Sequence, residues 1–145
     1  MKYILIPIVS VVICQVIKLL IYIYKNGSKN LTVKKIVWEG FWVGKFPSSH
    51  AALLTSTLSL LVIYSKEPSV IVFAFVVSLI LIYSLLEDKK RHEILESYFL
   101  KSSDNEIRKI AEDGVLREFN GHSYVELITG VMIGLVIAFM LNTII

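Results

Sequence analysis

Four long apolar runs govern what this chain can fold into. Tyr3–Tyr24 contains one charge, Lys18. Pro47–Ser65 has no formal charge but carries His50 near its start, Pro68–Leu86 has none, and His122–Ile145 contains one, Glu126. The hydrocarbon core of a bilayer is about 30 Å thick and takes roughly 20 helical residues to cross. Each run is long enough to cross, the second and third being at the short end. Within lipid every backbone N–H and C=O must bond inside its own element, so separate spans of this kind are helices. The pattern predicts an all-α fold, an integral membrane helical bundle with four transmembrane helices over about 3–24, 47–65, 68–86 and 122–145. Residues 1–145 read as a single membrane domain. The short Lys66-Glu67 connection predicts a helical hairpin between the second and third spans.

Composition agrees. Of 145 residues, 55% are hydrophobic and 19% charged, against about 45–50% and about 25% in ordinary soluble domains. Disorder is excluded by the same numbers. The net charge of +3 comes from basic residues scattered among acidic ones, which is not the basic stripe of a nucleic-acid-binding protein. A single cysteine, Cys14, excludes a disulfide framework and a multi-cysteine metal site; it reads as a small apolar filler. The first run is too long for the apolar part of a signal peptide, and no small-x-small site follows it, so it reads as a retained span.

Orientation follows from lysine and arginine. The loops 25–46 and 87–121 hold twelve of the fifteen basic residues. The excess of Lys and Arg on cytoplasmic loops then predicts both loops inside and both termini outside. In the first loop, Ile36-Val37-Trp38 and Phe41-Trp42-Val43 have the look of interfacial segments, because tryptophan favours the headgroup level. In the second, Ser103-Asp104-Asn105-Glu106 predicts a capping box ahead of Ile107 and Ile110. His92–Leu100 places Ile94, Leu95, Tyr98 and Phe99 on one side, which suits either an extension of the third span or a helix lying on the membrane.

An ionisable group within a membrane is costly and marks a functional site by default. Lys18 lies roughly 9 Å and Glu126 roughly 6 Å from the cytoplasmic ends of their spans, from a rise of 1.5 Å per residue. Spans two and four both run from inside to outside, so His50 and His122 begin their helices at the same face. Helix N-termini present backbone N–H groups and a positive dipole end, which together favour phosphate. His122 and Glu126 are four residues apart and share a helix face. A carboxylate there can bond one ring nitrogen, fix the tautomer and leave the other nitrogen as nucleophile.

Phe46-Pro47-Ser48-Ser49-His50 resembles the Pro-Ser-x-His motif of the type 2 phosphatidic acid phosphatases. Gly121-His122-Ser123-Tyr124-Val125-Glu126, with Gly130 after it, resembles their His-x-x-x-Asp motif. The order of the motifs, the short chain and the N-terminal Lys-Tyr-Ile-Leu-Ile-Pro-Ile are closer still to the divergent branch, the acid phosphatase/vanadium haloperoxidase-related membrane proteins. The resemblance implies a metal-independent enzyme without a cofactor. His122 would attack phosphorus to form a phosphohistidine, Glu126 would orient it, and His50 would protonate the leaving oxygen. Ser48 and Ser49 would hold phosphate oxygens. The superfamily's Lys-x6-Arg-Pro motif is absent, and Lys18 or Lys45 stands as its replacement. Where the divergent branch has Tyr-Asp-x-x-Gly-Val-Arg-Arg, this chain reads Tyr83-Ser84-Leu85-Leu86-Glu87-Asp88-Lys89-Lys90, making Lys89 and Lys90 further candidates for the phosphate.

The expected substrate is a lipid phosphate or diphosphate, polyprenyl or glycerolipid, hydrolysed at the cytoplasmic surface. Two other functions fit the same residues. One is a non-catalytic membrane scaffold or lipid-headgroup-binding protein, suggested by the altered motifs. The other is a small transporter subunit, suggested by an ion pair between Lys18 and Glu126. Expected partners are membrane lipids and no nucleic acid. Gly130-x-x-x-Gly134 allows close helix packing, either within the bundle or between two copies in a homodimer.

Overall fold

The structure is a computed structural model that describes residues 2–26, 46–112 and 121–144. It is all-helical: α1 (Lys2–Asn26), α2 (Ser49–Tyr64), α3 (Pro68–Leu100), α4 (Asn105–Glu112) and α5 (Tyr124–Ile144). Among the described residues three helices, α1, α3 and α5, are long and apolar enough to cross a membrane. The predicted second span is the exception. It forms an apolar helix of 16 residues, roughly 24 Å long at 1.5 Å per residue, against a core of about 30 Å. Its ends are set by serines. Ser48 is the N-cap, its Oγ accepting the Ala51 N–H, and Ser65 is the C-cap, its N–H donating to Leu61 O. Pro68, whose fixed φ suits a first helical turn, then starts α3. The predicted hairpin therefore forms, with Ser65, Lys66 and Glu67 as its connection.

α3 does not stop at Leu86. It continues for 33 residues to Leu100, so of the two forms open to His92–Leu100, extension of the third helix is the one adopted. Pairs at i,i+4 spacing support the extension: Arg91 with Glu87 at 2.9 Å and Lys89 with Glu93 at 3.9 Å. The capping box expected at Ser103 is displaced. Asp104 caps instead, its Oδ1 accepting the Glu106 N–H at 2.8 Å, and α4 starts at Asn105. Ser102 Oγ accepts the Asp104 N–H at 3.1 Å, which holds the capping residue in place. The Ile36–Trp38 and Phe41–Val43 segments lie outside the described residues.

The core of the bundle is α1, α2 and α5, with α2 packed against both of the others. On α1 the buried stripe is Ile6, Ser10, Cys14 and Lys18, one residue per turn. On α5 it is Leu127, Gly130, Gly134 and Ala138. Between them α2 presents Ala51, Ala52, Ser56 and Leu60. Lipid tails are as apolar as leucine, so helices in a membrane associate through close packing and hydrogen bonds rather than hydrophobic burial. Both are present. A Cβ added at Gly130 would come 2.2 Å from Ser48 O, and one at Gly134 would come 2.6 Å from Ala52 O. The Gly130-x-x-x-Gly134 pattern thus serves packing within the bundle. Ser10 Oγ and Ser56 Oγ are 3.0 Å apart. At the far end Ile6, Leu60 and Ala138 cluster, and the Tyr64 hydroxyl donates to Asn142 Oδ1. α3 stands apart, with Ser78 as its buried residue.

The glycine contacts make a direct prediction. Gly130→Ala should lower the thermal midpoint of the detergent-solubilised protein and cost about 1–3 kcal/mol, the usual range for forced overpacking. An unchanged midpoint would mean that α2 and α5 are not in backbone contact.

Candidate active site

The site is assembled by backbone ties between helix ends. The Ser48 N–H donates to Glu126 O at 2.9 Å, which sets the start of α2 against the first turn of α5. The His122 N–H donates to Leu85 O at 3.0 Å and fixes the chain leading into α5 on α3. Gly121 makes that second tie possible: a Cβ there would stand 2.2 Å from Leu85 O and 2.6 Å from Lys89 N. Ser123 and Glu126 close a reciprocal capping box, with Ser123 N–H to Glu126 Oε2 at 2.9 Å and Glu126 N–H to Ser123 Oγ at 3.3 Å. Two donors at the α5 terminus are satisfied in this way.

These ties bring two imidazoles from different helices together. The His50 and His122 ring centroids are 5.5 Å apart with planes at 87°, an edge-to-face contact. His50 is exposed and His122 half-buried. Beneath His50, Lys18 is only 5% exposed. Its Nζ donates to Ser49 Oγ at 3.2 Å and lies within electrostatic range of His50 and Glu126. Next to His122 is a cavity of about 220 Å³ lined by Leu86, Lys89, Lys90, Glu93, His122, Ser123 and Tyr124. An imidazole pair with a buried ammonium and two further lysines close by suits an anion.

Most of the sequence-predicted residues therefore fall in one place. His50, His122, Glu126, Ser49 and Lys18 gather where α1, α2 and α5 meet, and Lys89 and Lys90 reach the His122 cavity from α3. Ser48 is buried, and its hydroxyl and N–H serve the helix cap and the tie to α5. Lys18 and Glu126 turn to separate partners, Ser49 and Ser123, rather than to each other as the transporter reading expects. Lys45 lies outside the described residues. Sequence reasoning missed the positions of Gly121, Ser123, Glu93 and Tyr124. For Ser123 a signal existed, since Ser-x-x-Glu before an apolar run is a capping box.

A family model described as "Divergent PAP2 family" matches residues 1–137. The chain belongs to this family. The matched region contains both histidine motifs, all of α1 to α4 and the first two-thirds of α5. No curated protein and no solved structure matches the chain. In this divergent PAP2 protein, then, the two histidines are brought side by side by backbone hydrogen bonds between helix ends.

Lys18 offers a test of what the site is for. A buried ammonium with one neutral hydroxyl partner is costly to fold around. Lys18→Met keeps the apolar stem and removes the charge, so the thermal midpoint in detergent should stay level or rise. A marked fall would make Lys18 a structural residue rather than one held for an incoming anion.

Proposed function

We propose that this protein is an integral membrane phosphatase that hydrolyses a lipid phosphate or diphosphate, polyprenyl or glycerolipid, through a phosphohistidine intermediate. The single observation that carries the reading is the contact between His50 and His122 at the starts of two helices, in a chain of the divergent PAP2 family.

The chemistry runs in two steps. A nitrogen of His122 attacks phosphorus as the bond to the leaving oxygen breaks, and protonated His50 gives its proton to that oxygen. Water then attacks the phosphohistidine while His50 takes up a proton. Inorganic phosphate leaves and both imidazoles are restored. The rings touch edge to face, so the phosphoryl group enters at their edges and parts them. Lys18, presented with Ser49, neutralises phosphate oxygens from below, and Lys89 and Lys90 from the cavity side. Lys45, two residues before Pro47 in the sequence, is a further candidate for the phosphate. Ser48 holds the α2 terminus, and Glu126 holds the α5 terminus that carries His122. No metal or cofactor takes part.

The topology belongs to the same reading. α2 serves as a fourth span with local thinning of the bilayer around it, since short helices are accommodated that way at modest cost. Both termini lie outside and the site opens to the cytoplasmic face, where the basic loops are. A second copy completes the thin bundle as a homodimer.

Purified protein in mixed micelles should release phosphate from a panel of lipid phosphates. His122→Ala should reduce release to background, and His50→Ala should lower it by about 10²–10⁴, the usual worth of a positioned acid. Release undiminished by both changes would overturn the mechanism, and lipid binding without release would favour the non-catalytic scaffold. For topology, cysteine at Lys66 should react with an impermeant reagent from outside intact cells, and cysteine at Lys90 only after lysis. The reverse pattern would place the site on the outer face.

A further inference from the structure

The cavity beside His122 holds one group that phosphate binding does not account for. Lys89 and Lys90 on its wall attract an anion, and the Glu93 carboxylate on the same wall repels one. We propose that Glu93 is a specificity-determining residue that accepts hydrogen bonds from hydroxyl groups on the leaving alcohol, so that the ligand is the phosphate monoester of a polyol. The proposal rests on the phosphatase reading for the phosphate end of that ligand.

Three observations lead there. The first is that Glu93 is not spent on its helix. Its carboxylate stands 3.9 Å from Lys89 Nζ and its side chain is 57% exposed. A charge-assisted hydrogen bond closes at about 2.7–2.9 Å, as the Arg91–Glu87 pair on the same helix does at 2.9 Å. Exposed pairs at this spacing add little to a helix. The carboxylate therefore keeps its lone pairs for a donor that enters the cavity.

The second is place. The His122 N–H is bonded to Leu85 O, which sets the histidine level with that turn of α3. Lys89, Lys90 and Glu93 lie four to eight residues beyond Leu85, roughly 6–12 Å at 1.5 Å per residue. They also lie past Leu86, where the apolar run of α3 ends. The cavity thus rises from His122 into the polar layer, where a headgroup lies and a hydrocarbon tail does not. Its volume of about 220 Å³ equals about seven waters at roughly 30 Å³ each, more than a phosphoryl group alone fills.

The third is charge. Two ammonium groups and one carboxylate leave this wall net positive, so a ligand's own ammonium is disfavoured there, and a second phosphate would meet Glu93. Neutral hydroxyls avoid both costs. They donate to Glu93 while their oxygens accept from the lysines, and Leu86 and the Tyr124 ring supply apolar wall for the C–H groups between them.

The test uses the full chain in dodecyl maltoside micelles, with affinities read by thermal-shift titration. Glycerol 3-phosphate and propyl phosphate differ only in two hydroxyls. 1-Hexadecylglycerol 3-phosphate and hexadecyl phosphate are a lipid pair with and without the glycerol unit. The hydroxyl-bearing member should bind about tenfold tighter, the worth of one hydrogen bond to a charged group. Glu93→Gln, whose amide oxygen still accepts, should keep part of that ratio, and Glu93→Ala should bring it to about one. A residue that only props α3 would change both members together and leave the ratio alone. A ratio near one in the unaltered protein, or one that Glu93→Ala does not reduce, overturns the proposal. So does tighter binding of ethanolamine phosphate than of glycerol 3-phosphate. A preference confined to the free pair makes the ligand a soluble ester, and one that extends to the lipid pair makes it a headgroup; either supports the role of Glu93. Phosphate release is followed in the same samples. Preference without release would sink the phosphatase reading and leave the polyol site standing, whereas release without preference would do the opposite.

Discussion

The contact of Ser48 with α5 governs the whole arrangement. One residue does two things. Its N–H donates to Glu126 O, and its C=O lies so close to Gly130 that no side chain could stand there. Glycine at that position lets two helix backbones touch, and the hydrogen bond fixes their register. In water such a contact would be one among many. Within a membrane, where burial of apolar surface gives helices no reason to associate, the fit of backbone on backbone must supply the specificity. His50 follows Ser48 by two residues and His122 precedes Glu126 by four, so the register that this contact sets is also the register of the two imidazoles.

The site's electrostatics follow from which charges are already committed. Glu126 is occupied with the Ser123 amide, and Glu93 pairs loosely with Lys89 at 3.9 Å. Lys18 has a neutral hydroxyl as its hydrogen-bond acceptor. An ammonium buried to 5% exposure with such a hydrogen-bond partner has lost most of its hydration, and the Glu126 carboxylate within electrostatic range offsets only part of that loss. Proteins keep intramembrane charges of this kind at functional positions. An anion arriving between Lys18 and the α3 lysines would restore what the fold gave up, which is a physical reason for phosphate to bind at this place rather than elsewhere on a basic surface.

How much of this was legible in the sequence depended on the range of the interaction. The helices were legible because apolar runs and capping serines are local. So was the likeness of the Pro-Ser-Ser-His and His-x-x-x-Glu stretches to a phosphatase family. The length of α2 was not, because the run Pro47–Ser65 counts residues that the Ser48 and Ser65 caps exclude from the helix. The pattern Ser-x-x-Glu occurs at Ser103 and again at Ser123, and only the second closes a box. At the first, Asp104 stands one residue nearer to Glu106 and takes the N–H. Gly121 carried no visible signal, since its need for an absent side chain arises from Leu85 and Lys89 on another helix. The Ser10–Ser56 contact was hidden for the same reason. The ion pair that Lys18 and Glu126 could form is not a direct one, because depth along a span says nothing about direction around the helix: each bonds a serine, and the two charges stay within electrostatic range.

The site is divided between two parts of the fold that are held with different firmness. His50, Ser49 and Lys18 lie where α1, α2 and α5 are locked by glycine and serine contacts. Lys89 and Lys90 lie on α3, which buries little of itself and is joined to the rest by its hairpin with α2 and by the Leu85–His122 bond. Segments with few buried contacts open and shift at low free-energy cost. The two imidazoles are thus placed on the firm part, where a small misplacement would be costly to the chemistry proposed for them. The lysines that face the cavity are placed on the part that can move. His122 is the junction: its side chain meets His50 while its backbone holds α3. Any movement of α3 that opened the cavity to a larger headgroup would act on His122 first, and Gly121, beside it, is the residue whose lack of a side chain lets α3 come close enough for that coupling.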